Sequence, residues 1–225
     1  MKHNILFIAI FSLITNNLIS QNINDELGLA YAVRDYATMT KLNNPDSGKL
    51  ITTYFLYDEW QDNCTVIIKG KRLKLSKVNF KIATSEFLLN EGKNSAFSFN
   101  TRNIDLITID ARRFKYRMYN GKNKFFEILH ENKKGLSFLR GYSIRILPKS
   151  NIGALNRPYD VKKREVKLFI LKGEKLSVIK LKKKKILKLL DKKKHSQVLE
   201  YVKKNKFSFK NESDLIKILN YYNNL

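Results

Sequence analysis

The run Arg113-Phe114-Lys115-Tyr116-Arg117-Met118-Tyr119 alternates strictly, with Phe114, Tyr116 and Met118 on one side and Lys115 and Arg117 on the other. That is the period of a strand with one wet face. It leads into Asn120-Gly121, the dipeptide best suited to a type I′ turn because both central residues take positive φ, and residues 125–131 form the return strand. No other segment constrains the fold as tightly, and it demands an antiparallel hairpin.

The theme recurs. Gly70-Lys71 follows Val66-Ile67-Ile68, and Gly173-Glu174 separates Phe169-Ile170-Leu171 from Leu176-Ser177-Val178-Ile179. Further strands are expected at 54–57, 78–83, 86–89, 96–99, 104–109 and 142–147. Short strands linked by tight turns predict a mainly β domain over 49–181, an antiparallel meander forming a sandwich or a partly open barrel.

After Leu181 the apolar period becomes helical. Ile186, Leu187, Leu189 and Leu190 make one stripe, Val198, Leu199 and Val202 a second, and Leu215, Ile218, Leu219 and Tyr222 a third. Ser196 and Asn211 are the expected N-caps of the last two. Short helices are marginal alone, so this region, 182–225, is expected to dock on the sheet or to pack as a small appendage. Residues 21–48 read as a helical or irregular segment: Asn24 precedes Asp25 and Glu26, Leu29, Val33 and Tyr36 recur at helical spacing, and Asn43-Asn44-Pro45-Asp46-Ser47-Gly48 ends the pattern.

Residues 1–20 have the form of a cleavable export signal: Lys2, an apolar run from Ile5 to Ile14, then polar residues, with the cut placed after Ser20 and Gln21 as the new terminus. A membrane-spanning helix needs about 20 apolar residues, so no transmembrane segment is expected in the mature chain. Most of its strands are also shorter than the about ten residues that a transmembrane barrel needs, and the pattern toward residue 225 is helical. The protein is accordingly expected to be exported, periplasmic or secreted, and peripheral to a membrane if it meets one. Cys64 is the only cysteine. The core must hold without an internal disulfide, and a thiol beside Thr65-Val66-Ile67-Ile68 reads as a small buried hydrophobe. With no cysteine near residue 20, no lipid anchor is expected.

The formal charge of +24 is uneven: residues 161–225 carry 20 Lys+Arg against 6 Asp+Glu. Selection for an anionic partner and codon bias toward Lys, Asn and Ile both account for it. Within this tail Lys182, Lys183, Lys184, Lys185, Lys192, Lys193 and Lys194 are the candidate contact surface for an anionic partner, with Lys188 between the runs. Each Lys reaching an anionic bilayer contributes about 1 kcal/mol. Helical geometry turns about half of them to one plane, giving about 2 to 3 kcal/mol that salt weakens. Nucleic acid would explain the charge equally well, but an export signal leads away from it.

Candidates for chemistry are few. His130 stands alone beside Glu131, which the pleat turns to the other face. His195 lies four residues after Asp191, two ligands without a third. No Gly-x-Ser-x-Gly, P-loop or His-Glu-x-x-His is present. No metal, cofactor or catalytic set is therefore expected. Asp58-Glu59-Trp60-Gln61-Asp62 combines acids with an aromatic in the manner of a sugar site, but reads better as a polar loop whose Trp60 folds onto the core edge.

The segments Tyr54-Phe55-Leu56-Tyr57-Asp58-Glu59-Trp60, Thr65-Val66-Ile67-Ile68-Lys69-Gly70-Lys71 and Val78-Asn79-Phe80, with Lys182-Lys183-Lys184-Lys185-Ile186-Leu187 and Asp214-Leu215-Ile216-Lys217-Ile218-Leu219-Asn220-Tyr221-Tyr222-Asn223 toward the end, resemble an uncharacterised group of exported β-rich proteins from low-GC Gram-negative bacteria. The resemblance implies residence in the periplasm or facing the outer membrane, and carries no catalytic residues. The expected function is a non-enzymatic envelope protein binding an anionic or amphiphilic component. One alternative is a periplasmic carrier of lipid or lipoprotein, with an apolar cavity lined by Phe114, Tyr116 and Met118. Another is an envelope hydrolase, with two acidic side chains close together in a cleft.

Overall fold

In a computed structural model of the protein, the described residues are 39–41, 54–92, 95–99, 104–132, 135–150 and 159–225. The export segment and the helix expected near its end lie outside them. Twelve strands are described: β1 Met39–Lys41, β2 Cys64–Ile68, β3 Lys71–Leu75, β4 Val78–Lys81, β5 Glu86–Gly92, β6 Ser95–Ser98, β7 Ile104–Ile109, β8 Arg112–Tyr119, β9 Lys122–Glu131, β10 Leu136–Leu147, β11 Val161–Lys172 and β12 Lys175–Val178. They form an open eight-stranded antiparallel sheet in the order β12-β11-β10-β9-β8-β7-β2-β3 and a small sheet in the order β1-β6-β5-β4. The fold is mainly β, a meander from β7 to β12 extended by the β2–β3 hairpin. β1 is a strand where 21–48 read as helical or irregular; it pairs antiparallel with β6.

The β8–β9 hairpin forms as its turn dictates. Asn120 and Gly121 have φ of 50° and 71°, and Tyr119 faces Lys122 across the turn. Its apolar face fades toward the tip: Phe114 is fully buried, Tyr116 half-buried, and Met118 68% exposed.

The small sheet covers one end of the large one. Val78, Phe80, Phe87, Leu89 and Phe99 interleave with Val66, Ile107, Phe114, Phe125 and Tyr142 of the large sheet in one buried cluster. Phe80 is its centre, with Phe87, Phe114, Tyr142 and Phe125 at centroid distances of 4.8, 5.8, 6.3 and 6.4 Å. Cys64 belongs to this cluster, and burial pushes its thiol up to about 12, which suits an inert hydrophobe.

The strand expected at 54–57 is a single bridge, Phe55 to Lys81. Asn79 ends the ladder. Its buried amide donates to the Tyr57 and Glu59 carbonyls at 2.9 and 3.0 Å and accepts from the Tyr57 and Phe80 N–H groups, replacing strand pairing by a pinned loop. Trp60 folds onto Phe55, 6.0 Å between centroids, as its place in a polar loop predicts. Arg164 on β11 fastens the segment from the other side, donating to the Phe55 and Leu56 carbonyls.

Three helices follow: α1 Lys183–Leu187, α2 His195–Lys204 and α3 Glu212–Asn223, with a 3-10 turn at Lys192–Lys194 before α2. They dock on the other end of the same sheet face. Ile186, Leu190, Val198, Leu215, Ile218 and Leu219 pack with Leu136, Phe138 and Ile170 of β10 and β11. Asn211 caps α3, accepting from the Asp214 N–H at 3.0 Å. Ser196 is no cap. The chain is already helical at Lys194, and Asp191 caps the preceding turn by accepting from the Lys193 N–H.

On the opposite face Phe126, Leu139 and Phe169 are buried against one another. Phe126 and Phe169 meet at 5.0 Å between centroids because β10 carries Gly141 beneath them. A Cβ there would stand 2.7 Å from Phe169 Cε2 and 3.0 Å from Phe126 Cε1. Gly141→Ala is expected to cost about 1–3 kcal/mol by overpacking. A lower urea midpoint, restored in part when Phe169→Leu is added, checks this.

Candidate functional site

Three polar regions stand out on this frame: the lysine-rich end, a charged seam beneath the helices, and a cleft beside α3. The lysines come first because the sequence singles them out. Lys182, Lys183, Lys184, Lys185, Lys192 and Lys193 are exposed and Lys194 is half-buried. Their place follows from the residues between them: Ile186 and Leu190 are buried, so the short helix can only turn its lysines outward. Lys194 lies over the Tyr222 ring at 5.4 Å.

Residues 182–225 carry 13 lysines and four acids, Asp191, Glu200, Glu212 and Asp214. Three of the four are committed. Asp191 caps the 3-10 turn, Asp214 accepts from the Ser208 N–H at 3.0 Å, and Glu212 pairs with Arg140. Among the described residues no carboxylate forms an ion pair with the six exposed lysines. Among the described residues the positive charge of this end thus has few carboxylate partners, which raises the local concentration of anions.

The seam is a feature that periodicity alone hides. Glu127 on β9 and Arg140 on β10 face each other across the strands, between the cluster under the small sheet and the one under the helices. Glu127 is 5% exposed. It receives Arg140 Nη1 at 2.8 Å and the Tyr142 hydroxyl, with Arg112 Nε at 3.9 Å, while Arg140 Nη2 reaches Glu212 of α3. Burial pushes the Tyr142 phenol up to about 12, and its bond to Glu127 adds to that. Burial opposes the charge of Arg140, but its bonds to Tyr142 and Glu212 and the Glu127 charge outweigh it and raise its pKa. Two carboxylates do converge here, as a hydrolase would need, yet one guanidinium locks both and Glu127 is shut from solvent. The Tyr57 hydroxyl is also buried, with no hydrogen-bond partner among the described residues. Burial raises its pKa, with the nearby Arg112 charge opposing.

The cleft, about 570 Å³, is lined by Arg113, Leu129, His130, Glu131, Asn132 and Asn220. Buried His130 is held by α3: Nδ1 lies 2.8 Å from Asn220 Oδ1 and Nε2 lies 3.2 Å from Asn223 Nδ2. This fits a neutral ring donating from Nδ1 and accepting at Nε2. Burial lowers its pKa against the pull of Asn220 and Glu131. Burial also works against the Glu131 charge, but the Lys115 bond at 2.6 Å and the charges of Lys115, Arg113 and Arg117 outweigh it and lower its pKa.

His195 lies 3.4 Å from the Leu190 carbonyl, away from any ligand set. Among the described residues no three His, Cys, Asp or Glu side chains gather to hold a metal, and no helix is long and apolar enough to cross a membrane. Among the described residues Phe114, Tyr116 and Met118 do not line one apolar cavity: Phe114 packs against Phe80 and Phe87, Tyr116 against Phe125, and Met118 stands in solvent. The chain matches no protein-family model, no curated protein and no solved structure.

Proposed function

We propose that this protein is a non-enzymatic binding protein of the cell envelope that docks on an anionic lipid surface through its lysine-rich helical end. The observation that carries the reading is the set of exposed lysines at 182–185 and 192–193 without carboxylate partners among the described residues. They sit on a module anchored to the sheet by buried Ile186, Leu190 and Ile218. The module is already folded against the sheet, so docking has only the lysine side chains to order.

Changing Lys182, Lys183, Lys184, Lys185, Lys192, Lys193 and Lys194 to Gln is expected to remove about 2 to 3 kcal/mol of attraction, a loss of about 30- to 150-fold in affinity. Sedimentation with vesicles of phosphatidylglycerol and phosphatidylethanolamine measures it. Equal sedimentation of the variant and the parent rejects the proposal.

A further inference from the structure

The lysines are not the whole of the contact. We propose that an aromatic strip on the helical module, Tyr221, Tyr201 and Phe207, inserts at headgroup depth in the bilayer that the lysines attract. The inference rests on the function proposed above and assigns a second set of residues to it.

The strip bridges α2 and α3 in the structure. Tyr221 of α3 stacks on Tyr201 of α2 with centroids 3.9 Å apart and planes 4° from parallel, while its neighbour Tyr222 turns to the core, its hydroxyl accepting from the Asp191 N–H at 3.1 Å. Tyr201 meets Phe207 edge-on at 5.7 Å, and Lys217 Nζ lies 5.0 Å from the Phe207 ring. All three aromatics are half-buried. The Phe207 end of the strip thus carries a lysine in cation–π contact, and Lys217 and Tyr221, four residues apart, share one face of α3.

This combination fits the water–lipid interface. Tyrosine presents an apolar ring and a polar tip, which suits a boundary that is apolar on one side and wet on the other. Interfacial helices combine such rings with lysines, and their binding scales with buried apolar area plus attraction to anionic lipid. The aromatic term also repairs the weakness of the lysine term. Charge attraction is screened by salt, whereas ring insertion is not. Single-stranded nucleic acid uses stacking platforms and cations too. Against it, the cations of residues 182–225 are all lysine, with no arginine to fork onto a phosphate.

The test uses the full chain with Trp60→Phe, which removes the only tryptophan, and Tyr221→Trp as a reporter; Tyr201→Trp replaces it if circular dichroism shows the first misfolded. With phosphatidylglycerol vesicles the emission is expected to shift to the blue and to be quenched by lipids brominated near the headgroup. Part of the binding is expected to survive about 1 M salt, where the screening length is about 3 Å. In the parent chain Tyr221→Ser is expected to lose that salt-resistant part by about tenfold, while Tyr221→Phe keeps it. Binding with no spectral shift, abolished by salt, overturns the strip and leaves the lysine surface standing. Absence of vesicle binding at low salt overturns both. Quenching by a single-stranded oligonucleotide without vesicle binding assigns the strip to nucleic acid instead.

Discussion

Arg140→Ala is expected to destabilise the protein by about 3–5 kcal/mol, the usual loss when one partner of a buried ion pair is removed. The substitution strips the main cation from Glu127, which is 5% exposed in the parent, and leaves it the Tyr142 hydroxyl and Arg112 at 3.9 Å as partners. It also unties Glu212, and with it the first turn of α3, from the sheet. A domain has only about 5–15 kcal/mol in hand, so the variant should unfold at a much lower urea concentration. The origin of the loss is separable. If an uncompensated buried charge dominates, Glu127→Gln combined with Arg140→Met should recover much of it, since apolar or neutral replacements of a buried pair cost little. Urea titrations of the single and double variants decide this, and equal midpoints for Arg140→Ala and the parent would show the seam to be energetically idle.

Phe80→Ala should cost a similar amount, about 3–5 kcal/mol, through lost burial and the cavity left behind. Phe80 belongs to the small sheet, but its ring meets Phe114, Phe125 and Tyr142 of the large one as well as Phe87 beside it. Its removal therefore weakens the joint between the sheets rather than one strand. Phe80→Leu, which keeps most of the volume, should cost less than half as much. Chemical denaturation measures both. If the alanine variant lost stability but native-state hydrogen exchange sped up only in β4–β6, the small sheet would be a separately unfolding unit.

Much of the β architecture is legible locally. Alternation in Arg113–Tyr119, with an Asn-Gly pair after it, leaves the backbone one economical turn, and the strand expected at 104–109 forms with those bounds, although a bulge opposite Ile67 and Ile68 shifts its phase. Other elements depart where a distant group intervenes. Residues 54–57 have the composition of a strand, yet Asn79, about 22 residues on, captures the backbone of Tyr57. Ser196 sits where a cap belongs, but the 3-10 turn capped by Asp191 starts the helix earlier. Glu127 is in phase with the inward-facing Phe125 in β9, so its burial had a signal. Its partner had none, because Arg140 lies outside the 142–147 segment in which β10 was recognisable, and Glu212 is 72 residues beyond Arg140.

The candidate surface divides in the same way. Lysine runs and the apolar stripe beneath them are properties of neighbouring residues, and a helix of that pattern can only turn the lysines outward once Ile186 and Leu190 are buried. The aromatic strip is different, since Tyr201 and Tyr221 come together only when α2 and α3 pack. What the sequence by itself determined is the mainly β class, the hairpin turns, the three C-terminal apolar stripes and the outward lysines, because each depends on backbone preferences and periods within a few residues. Only the tertiary structure decided that the sheet stays open, that helices and small sheet share one face, and that a charged seam ties α3 to the large sheet between them. Those outcomes depend on which distant side chains meet and what desolvation their meeting demands.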